Sequence, residues 1–271
     1  MRARRRFGQH FLEAAWVARL VQAFAPGPDD RVLEIGPGRG ALTGALAGRV
    51  ARLVAVEIDR DLGKALAAAA PPNVTVVIRD FLDADLEALI GATLPPPIRA
   101  IGNLPYNVAV PILFRLLAVA DDGRTIKDAM LMVQREVALR LISPPGSKNY
   151  GVLSVMVRRL ADVSVAFDLP PGAFRPAPKV ESTVVRLGFR PPSVHPVDLP
   201  LFESLVRGVF AYRRKTVANA LRHWEPRLAS QITNRLEAAG IDGRRRPETL
   251  HLTELARLAD VFASASGTPV L

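Results

Sequence analysis

The sequence predicts an α/β fold: a doubly wound, mainly parallel sheet that ends in an antiparallel strand, followed by a small helical domain. Three observations lead there. Short β-branched runs alternate with longer helical stretches through the first half of the chain. Those runs are nearly continuous in apolar residues, as strands covered on both faces must be. Beyond residue 200 the strand-like runs cease and helical patterns take over.

The elements follow in order. Residues 31–35 (RVLEI) form the first expected strand, and a glycine-rich turn leads from it into a helix over 41–48. Further strands are expected at 53–58, 74–78, 98–101 and 129–133, with helices at 61–70, 86–90 and 110–118. Residues 153–160 and 182–189 read as two more strands. The proline-rich loop between them (LPPGAFRPAPKVE) has no room for a long helix, so that pair is expected to be antiparallel. The segment 190–200 (RPPSVHPVDLP) reads as a linker. Helices are expected at 201–224, 229–239 and 252–264, with Asp198 or a neighbour as a cap. The chain is therefore expected to divide into an α/β domain with a basic N-terminal arm, residues 1–190, and a helical domain, residues 191–271.

Composition narrows the function. The 271 residues include no cysteine, which excludes disulfides, thiolate metal sites and cysteine nucleophiles; no metal is expected. No apolar run is long enough to span a membrane, and the basic start MRARRR is not followed by a signal-peptide apolar stretch. The expectation is a soluble, cytoplasmic protein. The net charge of +10 favours a polyanionic partner. Codon bias explains the preference for arginine over lysine, but not the excess of both over acids.

The first strand runs into Gly36-Pro37-Gly38-Arg39-Gly40-Ala41 and then a helix. Glycines there permit a tight turn and close approach of backbone to a ligand. Glu57 and Asp59 end the next strand, where an acidic side chain accepts hydrogen bonds from ribose hydroxyls. Read as G-x-G-x-x-A, the turn leaves NAD and S-adenosylmethionine in competition. The form E-x-G-P-G-x-G, with Glu34 two residues before Gly36, resembles a methyltransferase cofactor motif. Asp80, closing the third strand, is placed to accept from an adenine amino group, and nothing downstream looks like a hydride-transfer site. These features favour S-adenosylmethionine. Glu34 itself is expected to accept from backbone, or from the cofactor's amino end through water, rather than to touch the ligand.

The fourth strand ends in Gly102-Asn103-Leu104-Pro105-Tyr106-Asn107, in the crevice where open α/β sheets bind ligands. An adenine amino group is a poor nucleophile because its lone pair is delocalised. Two acceptors around its N–H groups would favour a pyramidal nitrogen. The Asn103 side-chain oxygen is one candidate, and the Leu104 backbone carbonyl is the other, with Pro105 stiffening the chain. Tyr106 offers a ring face for stacking.

With these residues in view, the chain resembles the ribosomal RNA adenine dimethyltransferases of the bacterial small-subunit (KsgA) type, and with them the Rossmann-like class I methyltransferase fold. The matching segments are RRFGQHFL (5–12), VLEIGPGRGALT (32–43), AVEID (55–59), GNLPYN (102–107), PPGAFRPAPKVES (170–182) and FAYRRKTVANAL (210–221). The resemblance implies N6,N6-dimethylation of two adjacent adenosines near the 3′ end of small-subunit (16S) rRNA, in the immature subunit. It implies that Gln9, His10 and Leu12 fold over the cofactor, with His10 standing where the family usually has Asn. It also implies that Phe174 stacks on the target base opposite Tyr106. Arg207, Arg213, Arg214, Lys215 and Arg222, expected on one helix, would meet phosphates. A monomer is expected, since the substrate is a large particle.

Two alternatives stand beside this reading. One is an enzyme acting on large-subunit rRNA, whose loop resembles N-I-P-Y more often than the N-L-P-Y-N found here. The other is an RNA-binding assembly or transcription factor that keeps the fold without activity. The intact Gly36–Gly40 turn, Glu57 and the Asn103–Tyr106 loop argue against the latter.

Overall fold

The structure, a computed structural model, describes residues 10–264. Its elements are β1 (Phe11–Leu12), α1 (Ala14–Phe24), β2 (Arg31–Ile35), α2 (Ala41–Ala47), β3 (Arg52–Glu57), α3 (Arg60–Ala69), β4 (Val74–Ile78), α4 (Leu86–Ala92), β5 (Ile98–Asn103), α5 (Ala109–Val119) and β6 (Ile126–Gln134). There follow α6 (Arg135–Ile142), α7 (Val152–Leu160), β7 (Ala161–Leu169), β8 (Phe174–Arg175), β9 (Ser182–Phe189), α8 (Leu199–Ala211), α9 (Val217–Trp224), α10 (Ile232–Ala238) and α11 (Leu252–Ser264).

Seven strands form one sheet in the order β4-β3-β2-β5-β6-β9-β7. The five from β4 to β6 are mutually parallel, and β9 runs antiparallel to both β6 and β7. The chain moves outward one way from β2 through β3 and β4, then returns to start β5 on the other side of β2. That reversal is a topological switch point, which opens a crevice at the carboxyl ends of β2 and β5. The register sets Ile35 beside Gly102, so the glycine turn and the Asn103 loop leave the sheet side by side.

The strand interiors are apolar because both faces are covered. Val32, Leu53, Ala55 and Ile101 share a buried cluster with Val17, Leu20, Val21 and Phe24 of α1 and Leu42 and Leu46 of α2. One buried cation fastens this layer. Arg99 of β5 makes a two-pronged pair with Asp128 of β6 at 2.7 and 2.8 Å, and reaches Asp30 at 2.7 Å. Its remaining N–H groups donate to the carbonyls of Phe24 and Ala25, the open C-terminal end of α1.

Three expectations are corrected. Residues 153–160 are a helix, α7, and the strand that pairs with β9 is formed instead by Ala161–Leu169. In α7 Leu153, Met156, Val157 and Leu160 recur at helical spacing, while Leu153, Val155 and Val157 also alternate as in a strand, so the short segment satisfies both patterns. The stretch expected to be one helix from 201 to 224 is two, α8 and α9, separated by a turn after which Thr216 caps α9 by accepting from the Asn219 N–H. Residues 226–231 form 3-10 turns, so α10 begins only at Ile232. Asp198 caps α8, accepting from Leu201 N–H at 2.9 Å.

The chain divides into two compact units. The first runs to Ala138 and resumes over Leu160–Pro191; the second takes Leu139–Arg159 and everything from Pro192 onward. The sequence alone suggests a single boundary at 190/191. Residues 139–159 join the second unit through long-range bonds: the fully buried Tyr150 donates to Leu250 O at 3.1 Å, and Gly146 N–H to Glu248 O at 2.6 Å. Among the described residues no helix is long and apolar enough to cross a membrane.

Candidate active site

The glycine turn after β2 is built from left-handed backbone: Gly36, Gly38 and Gly40 have φ of 68°, 58° and 79°. A side chain at Gly38 would also strike the ring of Phe11, which lies 3.1 Å from the position its Cβ would take. Phe11 belongs to the short β1 strand, which pairs with β8 in a separate two-stranded ribbon. The Arg39 guanidinium covers the same ring at 4.2 Å. The arm is thus laid over the turn by its own packing.

Beneath it lies a cavity of about 350 Å³, a size suited to a small cofactor. Of the residues expected at the site, His10, Leu12, Gly36, Gly38, Glu57, Asn103, Leu104, Pro105 and Tyr106 all line it. Glu57 is buried, and one oxygen accepts from Gly38 N–H and the other from Asp59 N–H, both at 2.8 Å. Each oxygen keeps a further lone pair for a ligand. Burial raises its pKa, against the pull of those two bonds. Asp59 is committed elsewhere: its side chain caps α3.

Glu34 also lines the cavity, and its carboxylate accepts from the Thr43 hydroxyl at 2.7 Å. Burial pushes it up to about 7, with the Thr43 bond opposing and the neighbouring Glu57 adding repulsion. In the sequence Thr43 is visible only as a residue of the following helix; its pairing with Glu34 needs the turn between them to be folded.

The loop after β5 is held at several points. Leu104 N–H donates to Met132 O on β6 at 3.1 Å. One N–H of the Asn103 amide donates to His10 O at 2.8 Å, which fixes the side chain and leaves its carbonyl oxygen and second N–H to offer to a ligand. The half-buried Tyr106 brings its hydroxyl to 2.5 Å from that of Ser182. Burial raises the Tyr106 pKa and the Ser182 bond opposes it, so the phenol stays neutral at ordinary pH. On its ring face lies His10, with centroids 5.6 Å apart and planes 24° from parallel. His10 also binds Pro176 O through Nδ1 at 2.7 Å.

Two expected site residues fall elsewhere. Phe174 is fully buried in the apolar cluster beneath α1 and presents no ring face to a base. Side-chain alternation in the two-residue β8 strand explains this: Phe174 points inward, and its neighbour Arg175 faces the cavity. Asp80 is outside the cavity lining and accepts from Leu82 N–H at 2.9 Å in a turn. Gln9 lies outside the described residues.

The basic residues of the second unit are spread over two helices and the turn between them. Arg213 pairs with Glu248 at 3.2 Å and donates to Lys148 O at 2.7 Å. Arg207 sits 4.0 Å from Glu203, and Arg222 bonds Asn219. Arg214 and Lys215 are exposed in the turn and make no ion pair with a described residue.

Comparison with known proteins gives one consistent outcome. A family model described as ribosomal RNA adenine dimethylase matches residues 1–263. A Pseudomonas fluorescens protein named ribosomal RNA small subunit methyltransferase A is 43% identical over 266 residues, covering 97% of this chain and 94% of its own. A protein of the same name from Xylella fastidiosa is 41% identical, covering 95% of each. Among solved structures, a dimethyladenosine transferase from Plasmodium falciparum aligns with a TM-score of 0.73 at 21% identity, over 95% of this chain and 98% of its own. The 23S rRNA methyltransferase ErmE aligns at 0.64 and 29% identity, over 93% of this chain and 99% of its own.

Proposed function

The chain belongs to the ribosomal RNA adenine dimethylase family, and from that premise we propose that it methylates adenine amino groups of small-subunit rRNA with S-adenosylmethionine as the methyl donor. The finer reading is dimethylation at N6 of two adjacent adenosines near the 3′ end of 16S rRNA, within the immature small subunit, by a monomer. One observation carries it above the others: the Asn103 amide is anchored to the arm through its nitrogen, so its carbonyl oxygen stands as an acceptor beside the glycine-lined cavity at the switch point.

The cavity's chemistry fits the cofactor. Three left-handed glycines let backbone approach a ligand, Glu57 keeps lone pairs for ribose hydroxyls, and the turn lacks the Lys-Ser/Thr ending that a nucleoside triphosphate site would need. In this proposal Gly36, Gly38, Glu57, His10 and Leu12, which all line the cavity, hold the cofactor. When bound, the sulfonium supplies an activated methyl group, so the protein's task is alignment rather than strong acid–base chemistry.

The loop residues perform that alignment. The Asn103 oxygen and the Leu104 carbonyl accept from the two N–H bonds of the target amine and pyramidalise its nitrogen. Pro105 holds the loop's bend, and Tyr106 stacks the base. His10 now rests on the Tyr106 face at a separation that leaves no gap for a planar base, so the base must displace that ring. Phe174, being buried, takes no part in the stack. Arg207, Arg214, Lys215 and Arg222 are exposed and placed to meet phosphates, whereas Arg213 is half-buried and tied to Glu248.

The large-subunit alternative is supported by ErmE at 29% identity; relatives named for the small subunit reach 43%. The deciding experiment is transfer of labelled methyl to small subunits lacking these modifications, followed by mapping of the labelled nucleotide. Dimethyladenosine in small-subunit rRNA is expected. Label confined to large-subunit rRNA would overturn the substrate, and RNA binding without any transfer would favour an inactive assembly factor.

A further inference from the structure

We infer that Ser182 is a positioning residue for methyl transfer: its hydroxyl fixes the ring of Tyr106 in the orientation that stacks the target base. The inference rests on the function proposed above for the Asn103–Tyr106 loop, and it names a residue that is neither in the cavity lining nor in the loop.

Ser182 begins β9 and is fully buried. Its register is set from both sides, by Gln134 on β6 and Leu169 on β7, so its backbone has no freedom to shift. Further along β9, Val184 and Val185 are apolar and buried. A buried hydroxyl in such a strand needs a partner, or it destabilises the fold. The Ser182 hydroxyl has one in the Tyr106 hydroxyl, at 2.5 Å. The neighbouring Thr183 shows the same behaviour but turns the other way, donating to Asp168 at 2.5 Å.

The geometry explains why the bond matters. Because β9 is antiparallel to β6, its first residue lies at the carboxyl end of the parallel strands, where the catalytic loop emerges. The loop is docked on β6 by Leu104 N–H. His10 lies on one face of the Tyr106 ring, and once a base displaces it the Ser182 bond is what limits pivoting about the side-chain bonds. That bond is a second tether, at the far end of the ring. It spans the β6 strand and ties the loop after β5 to a rigid sheet position. Rigid second supports of this kind are what keep a site within productive geometry.

The test is a double-mutant cycle with Ser182→Ala, Tyr106→Phe and the pair, measuring kcat and KM for methyl transfer to small-subunit RNA. Each single variant is expected to lower kcat by about tenfold, the worth of one hydrogen bond, with KM for RNA nearly unchanged. In the Tyr106→Phe background, Ser182→Ala should have no further effect on kcat. Independent, additive losses would overturn the inference, because they would mean Ser182 acts on folding rather than on Tyr106. If Ser182→Ala does not fold, Tyr106→Phe removes the same bond from the loop side, and an undiminished kcat there overturns it equally.

A second readout does not depend on activity. The chain has three tyrosines, so selective labelling gives three resolvable sets of ring signals. Ser182→Ala should raise the ring-flip rate of Tyr106 and leave Tyr150 and Tyr212 as they were. An unchanged Tyr106 ring would sink the inference even in an active enzyme. A freed ring in a protein that methylates no RNA would instead leave the tether standing and overturn the proposed function.

Discussion

Asn103 and Glu34 show how a single side chain's surroundings decide its role. The Asn103 side chain both latches the arm, through its NH₂, and offers an acceptor oxygen to the crevice. Asn103→Ala should lower the methyl-transfer rate on the order of 10²-fold or more, the scale of removing one positioned polar group, while RNA affinity in a filter-binding assay stays nearly constant. An unchanged rate would refute the acceptor mechanism. Glu34 makes a prediction about pH. Its folded pKa, about 7, lies above the ordinary 4.5, so the native state binds this proton more tightly than the unfolded chain does. Its contribution to stability is therefore present below about pH 4.5 and is lost as pH rises through about 7. The difference amounts to about 3 kcal/mol at full ionisation. Glu34→Gln keeps an acceptor for Thr43 and removes the titration. Denaturant melts between pH 5 and 8 should show the variant with a flatter stability profile than the wild type.

Among the elements, Arg99 is the most heavily bonded link between β5, β6 and the end of α1, with Arg186 adding a longer pair to Asp128 and a bond to Ala23 O. Arg99 joins Asp128, Asp30 and two carbonyls of α1 in a mostly buried cluster, and its guanidinium lies 4.1 Å from the Phe24 ring centroid. Removing one partner leaves buried carboxylates and carbonyls unmatched. Arg99→Ala should therefore cost about 3–5 kcal/mol in urea denaturation, well beyond the effect of breaking an exposed pair such as Arg244–Asp242. The element scale is also where local pattern misleads. Residues 153–160 look strand-like because Leu153, Val155 and Val157 alternate, but Leu153, Met156, Val157 and Leu160 equally fit a helical period, and so short a segment does not separate the two. By contrast, β2 to β6 are legible because each apolar run is short and bounded by turn residues. The break between α8 and α9 is readable in principle: Thr216 is a good cap three residues before Asn219, but no glycine or proline marks the spot.

Over the whole molecule, the surplus of ten positive charges favours an RNA partner, but the described ion pairs show which of them are committed. Arg213 is tied to Glu248 and Lys148, whereas Arg214 and Lys215 are exposed in the turn. Replacing Arg214 and Lys215 with alanine should weaken RNA binding and reduce the salt slope of log K by about 1.5, roughly 0.7–0.9 for each phosphate no longer neutralised. An unaltered slope would move the RNA surface elsewhere. Arg213→Ala should instead lower stability, since its bonds hold the 139–159 segment to the C-terminal helices. The sequence by itself determined the parallel frame, the glycine turn with its acidic neighbour, and the Asn103–Tyr106 loop. Each is carried by contiguous residues whose local chemistry has few alternatives: left-handed glycines after a strand, and a proline-stiffened acceptor at a strand end. Only the tertiary structure decided that Phe174 is core, that His10 lies on Tyr106, and that Ser182 tethers the same ring. Those pairings join residues separated by 76 positions for Ser182 and Tyr106, and by 93 for the Asn103–His10 bond that holds the arm in place. Partners that distant are chosen by sheet order and strand register, and no local pattern in the sequence encodes those.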